Sequence, residues 1–161
     1  MTSAIADTPV RKSITVRANA DRAFRVFTEG MDTWWPRTHH IGKTPMLKTI
    51  LEGRCGGRCY STHEDGAQVD WGKVLVWEPP RRFVFAWQVN PDWTCQPDLA
   101  KSSEVEVTFL PQADGSTRVE LEHRYISRHG AGWETMHTTM QGPGAWSGML
   151  DLFAKEAEKT I

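Results

Sequence analysis

The sequence predicts an α+β protein in which one antiparallel sheet is covered by a long C-terminal helix. Three observations carry this. Runs of alternating apolar and polar residues recur, as in EVEVTF (104–109) and RVELEHRY (118–125), the pattern of strands with one buried face. Turn signals separate successive runs: EDG at 64–66, EPPR at 78–81 and ADGS at 113–116. The closing stretch instead spaces Trp146, Leu150, Phe153 and Ala157 along one helical face. A single sheet with one apolar face needs a cover, and this helix supplies it.

Taken in order, VRKSITVRA (10–18) alternates with apolar Val10, Ile14 and Val16, a half-buried strand. Asn19 suits the cap of a helix over ADRAFRVFTE, whose Ala20, Ala23, Phe24 and Phe27 share a face and which ends near Gly30. MDTWWPRTHHIGKTP (31–45) reads as a short helix or irregular loop. From Met46 the pattern becomes strand-like, with Gly53, Gly56 and Gly57 marking a bend or bulge. Strands over 69–77 and 82–89 flank the Pro79-Pro80 turn. Residues 90–102 form a long polar loop that holds Trp93. After the 104–125 hairpin, Pro143 suits the first turn of the last helix, and Lys155 and Lys159 suit its C-terminal end. The expected organisation is a tail over 1–9 and one domain over 10–161, about six strands in all. A bent sheet gripping a helix leaves room for a cavity between them.

Composition excludes several classes of function. The chain has 161 residues, a formal charge of −1 and 24% charged residues without like-charge blocks, so nothing attracts nucleic acid or an anionic membrane. Its longest apolar run, Phe83–Trp87, is five residues, against the ~20 that span a bilayer. Three cysteines and a start, MTSAIADTP, that lacks a secretory pattern point to a reduced, cytoplasmic protein. No cofactor is expected. GKT (42–44) lacks the phosphate loop's first glycine, since Arg37 stands there. Cys55, Cys59 and His63 are spaced four apart and share strand parity but spread too far to meet on one metal. AWSGM is not a nucleophile elbow, and no catalytic residue is assigned.

One stretch, GGRCYSTHEDGAQVDWGKVLVWEPPRRFVFAW (Gly56–Trp87), resembles the signature hairpins of proteins related to the activator of heat-shock protein 90 ATPase. FTEGMDTWWP (27–36) and the closing helix with Trp146 are similar to that family too. The family lies in the START-like, helix-grip superfamily, also called SRPBCC. The resemblance implies about seven strands in a strongly bent antiparallel sheet wrapped around the C-terminal helix. It also implies a pocket for a small hydrophobic molecule: a lipid, polyketide or aromatic compound. Some superfamily members are cyclases. The eukaryotic co-chaperones carry a further domain, for which 161 residues leave no room.

The candidate site follows from the eight tryptophans and the inward polar residues. Trp34, Trp35, Trp71 and Trp93 sit in or beside loops, where core packing explains them less well than lining a cavity mouth. Trp87 shares strand parity with Phe83 and Phe85, and Trp146 and Phe153 face the sheet from the helix. His123 and Tyr125 share the inward parity of Val119 and Leu121; Tyr60 and His39 are further polar candidates. The expected function is binding of a hydrophobic or aromatic ligand, with few polar groups setting its orientation. Two alternatives are kept. One is a cyclase or dehydratase using His123 or His39 as acid or base. The other is a protein-interaction or co-chaperone-like module presenting Trp34, Trp35 and Trp93. A homodimer is left open.

Overall fold

A computed structural model of the protein describes residues 6–159. Residues 1–5 of the expected tail lie outside the described residues. Seven strands are present: β1 (Val10–Val16), β2 (Met46–Leu51), β3 (Arg58–His63), β4 (Gln68–Glu78), β5 (Arg82–Trp87), β6 (Ser103–Pro111) and β7 (Thr117–Arg124). They form one antiparallel sheet in the order β1-β7-β6-β5-β4-β3-β2, curled into a half-barrel. Between β1 and β2 lie α1 (Ala20–Phe27) and α2 (Met31–Trp34). Asn19 caps α1 by accepting from the Arg22 N–H at 2.9 Å.

Strand parity sorts the two faces of the sheet. Phe83, Phe85, Val105, Val107, Phe109 and Val119 are buried on the inner face, where Phe24 and Phe27 of α1 pack edge-on against Phe83 and Phe109. The outer face carries Glu104, Glu106 and Glu122 in ion pairs with Arg82 and Arg124.

Two irregularities shape the cavity described below. In the β3–β4 pairing Cys59 faces Gly72 but Tyr60 faces Asp70, so Trp71 is the extra residue of a bulge. Trp71 and Gly72 are therefore both buried, and strict alternation is broken. Glycine is required at 72, because a Cβ there would stand 2.7 Å from the Ala86 carbonyl oxygen.

The helical cover is also irregular. The C-terminal helix is preceded by a helix the sequence reading did not anticipate, α3 (Trp133–Gln141), and itself runs as α4 (Gly148–Ala157). Gly142 is extended, Pro143 brings no N–H, and Ala145 departs from helical geometry at φ −100°, ψ −121°. The long helix expected from Pro143 onward is thus replaced at its start by a kinked turn, Pro143–Ser147. Among the described residues no helix is long and apolar enough to cross a membrane.

Candidate functional site

A cavity of about 490 Å³ lies between the sheet and this kinked helical arm. The sheet contributes Trp71 from β4, Trp87 from β5 and Val89 just beyond it. The arm contributes Met140, Ala145, Trp146 and Met149. The loop after α2 supplies Trp35, Thr38, His39, His40 and Ile41, and the loop after β5 supplies Trp93. The interior is aromatic. Trp35 and Trp71 stack at 5.0 Å and 25°, and Trp146 meets Trp87 edge-on at 5.4 Å.

Hydrogen bonds fix three of these rings. The Trp35 Nε1–H donates to the His39 carbonyl at 2.8 Å, and that of Trp71 donates to Thr49 Oγ1 at 3.1 Å. Trp146 Nε1–H donates to His123 Nδ1 at 3.1 Å. The Trp87 indole N–H is buried and has no acceptor among the described residues, a deficit of about 1–3 kcal/mol.

The bond from Trp146 opens a buried polar chain whose direction follows from donor logic. His123 Nδ1 accepts, so its proton sits on Nε2 and is donated to Ser103 Oγ at 2.8 Å. The Ser103 hydroxyl then donates to His129 Nε2 at 2.8 Å, which also accepts the Ser103 N–H at 3.0 Å. This leaves His129 Nδ1–H to donate to Asn90 Oδ1 at 3.4 Å. Burial removes both imidazoles from water, pushing His123 down to about 3, with the charges of His129 and His137 adding, and His129 down to about 4.

A second histidine cluster borders the mouth. His40 accepts the Gly42 N–H at Nδ1, and burial, followed by the charge of His63, lowers its pKa. His63 is held at both ring nitrogens, by Ser61 Oγ at 2.7 Å and the Thr44 carbonyl at 2.8 Å.

The sequence candidates divide accordingly. Trp35, His39, Trp71, Trp87 and Trp146 come together at the cavity. Trp34 and Phe153 do not: they pack on each other and on Phe27 in the core, with the Trp34 N–H on the Val26 carbonyl. His123 stands behind Trp146 and Trp87 as a fully buried, hydrogen-bonded group, not as a cavity-lining one. Tyr125 is corrected most clearly. It lies beyond the end of β7 with φ 62°, which turns it out of strand parity; it is exposed and sits beside Arg124 and Arg128. Tyr60 lies on the opposite parity to buried Cys59 and Ser61, with Arg58 over its ring at 4.1 Å. The exposed patch expected of Trp34, Trp35 and Trp93 does not form, because Trp34 and Trp35 are buried.

Sequence reasoning missed Met140, Ala145 and the Ser103–His129 link. One usable signal was present: Trp133, Met136, His137 and Met140 carry helical spacing.

A curled seven-stranded antiparallel sheet gripping a C-terminal helix is the helix-grip fold of START-like, SRPBCC proteins. Within that class the chain belongs to the Activator of Hsp90 ATPase homolog 1-like family, whose sequence profile matches residues 17–158. Among solved structures it is similar to the anthrahydroquino-γ-pyrone synthase Txn09, complexed with SUM. That likeness has 38% identity, TM-score 0.64, and covers 91% of this chain and 95% of the other. It is similar to CalC, a self-sacrificing resistance protein from Micromonospora echinospora, at 28% identity and TM-score 0.66 over 94% of each chain. Protein NE0264 from Nitrosomonas europaea shares the fold at 14% identity, with TM-score 0.66 over 97% of each chain. No curated protein matches the sequence.

Proposed function

We propose that the protein binds a small, largely apolar, aromatic molecule in the cavity between sheet and helical arm. One observation carries this reading: five of the eight tryptophans line a single cavity of about 490 Å³. Rings that only fill a core leave no such space, since interiors pack to crystal density. The volume falls within the roughly 300–1,000 Å³ of small-molecule sites. Apolar burial supplies the driving force, at about 25 cal/mol per Å². Thr38, His39 and His40 at the mouth offer polar contacts to a hydroxyl or carbonyl group. The likeness to a γ-pyrone synthase supports a polyketide-type aromatic as the ligand class.

Tryptophan fluorescence tests the proposal. Emodin, a planar hydroxyanthraquinone, is expected to quench saturably at one equivalent, and Trp35→Ala to weaken the effect. Absence of saturable quenching by emodin and by oleate overturns it.

The same likeness to a synthase favours a second reading, catalysis of the cyclase or dehydratase kind. In this reading the acid–base group is His39 or its neighbour His40, which both line the cavity, instead of His123, which does not. His39→Gln or His40→Gln is then expected to abolish turnover while emodin affinity persists; unchanged turnover in both variants rules the pair out.

A further inference from the structure

Seven of the eight tryptophans pack against another aromatic ring: Trp34, Trp35 and Trp71 around the first loop, Trp77 and Trp87 on the sheet, Trp133 and Trp146 on the arm. Among the described residues Trp93 has no such neighbour. It is 51% exposed, yet it lines the aromatic cavity.

Its backbone is also unusual. Trp93 has φ 64°, the left-handed region that bulky side chains rarely adopt. Strain of this kind persists only where the surroundings fix it, and here they do. The Trp93 N–H donates to the Asn90 carbonyl at 2.8 Å, and the Asn90 N–H donates to the Thr94 carbonyl at 2.8 Å. Asp92 Oδ1 accepts from both the Thr94 N–H and hydroxyl, and Val89 bridges Cys95. Asn90 Oδ1 accepts from His129, which ties the loop to the same buried chain that holds Trp146. A large apolar ring is thus presented to the cavity on a braced loop, without a partner.

Given the cavity's reading as a ligand site, on which this rests, we propose that Trp93 is the ligand-capping residue. Its indole stacks on a planar fused-ring ligand held in the cavity and selects such molecules over aliphatic chains. A flat ring system presents a π face to the indole, and offset stacking adds to simple area burial. A flexible chain gains contact area alone.

Calorimetric titration of the full chain with emodin and with oleate tests this, using Trp93→Leu, which keeps apolar bulk, and Trp93→Asn, which suits the left-handed backbone. Trp93→Leu is expected to weaken emodin about five-fold while oleate stays within about two-fold. Trp93→Asn is expected to weaken emodin further, and neither variant to lower Tm. Equal loss for both ligands, unchanged emodin affinity, or a fall in Tm overturns the assignment. Emodin binding that Trp35→Ala abolishes and both Trp93 variants retain refutes the cap and leaves the cavity reading standing. Failure of the unaltered protein to bind either ligand refutes both.

Discussion

Lowering the pH from 7 to 5 is expected to destabilise the protein by about 4 kcal/mol through His123 and His129. In the unfolded chain each imidazole titrates near the ordinary histidine value of about 6.5. In the folded chain burial holds them at about 3 and about 4. Between pH 6.5 and 4 the unfolded state therefore binds more protons, and stability falls with pH. Over the roughly 1.5 pH units below 6.5, each contributes about 2 kcal/mol at about 1.4 kcal/mol per unit. His40, also lowered by burial, acts in the same direction. The carboxylates are separable. Those of Glu106 and Glu122 would be raised by burial, but arginine hydrogen bonds outweigh it and hold them low. Their contribution is lost only as pH falls below about 4.3. Urea denaturation at pH 7, 6 and 5 provides the measurement. A free energy of unfolding that is equal at pH 7 and 5 refutes the assignment of two neutral, buried imidazoles.

Three further outcomes follow from the same geometry. Trp146→Phe removes the donor to His123 Nδ1 and leaves that acceptor buried, so denaturation is expected to show a loss of about 1–3 kcal/mol; no loss contradicts the chain. Gly42→Ala would place a Cβ 2.3 Å from the His63 ring, which is tied at both nitrogens, so about 1–3 kcal/mol of overpacking cost is expected in Tm or urea midpoint. Tyr125→Ala, at an exposed site outside the cavity, is expected to leave emodin affinity unchanged in a fluorescence titration; a marked loss would restore Tyr125 to the site.

What the sequence disclosed was local. Period-two alternation and turn residues placed the strands, and parity put Phe83, Phe85 and Trp87 on one buried face, as the structure shows. Parity failed where the chain breaks it. The bulge at Trp71 follows from how β3 registers against β4, a tertiary fact. Tyr125 was read by continuing the β7 pattern one residue past Arg124, where the backbone turns left-handed. His123 was recognisable as inward, but Ser103 lies 20 residues away and meets it only through the β6–β7 pairing, so the chain behind Trp146 was invisible. The helix over Trp133–Gln141 was legible in its spacing, whereas the kink at Ala145 carries no residue-level signal beyond nearby glycines and a proline.

Fluorine NMR of protein labelled with fluorotryptophan, titrated with emodin, tests the central claim most directly. The rings of Trp35, Trp71, Trp87, Trp93 and Trp146 line the cavity, while Trp34, Trp77 and Trp133 do not. With resonances assigned by single Trp→Phe variants, ligand binding in the cavity shifts the first group and leaves the second in place. Shifts confined to Trp34, Trp77 or Trp133, or none at saturating emodin, would contradict the account.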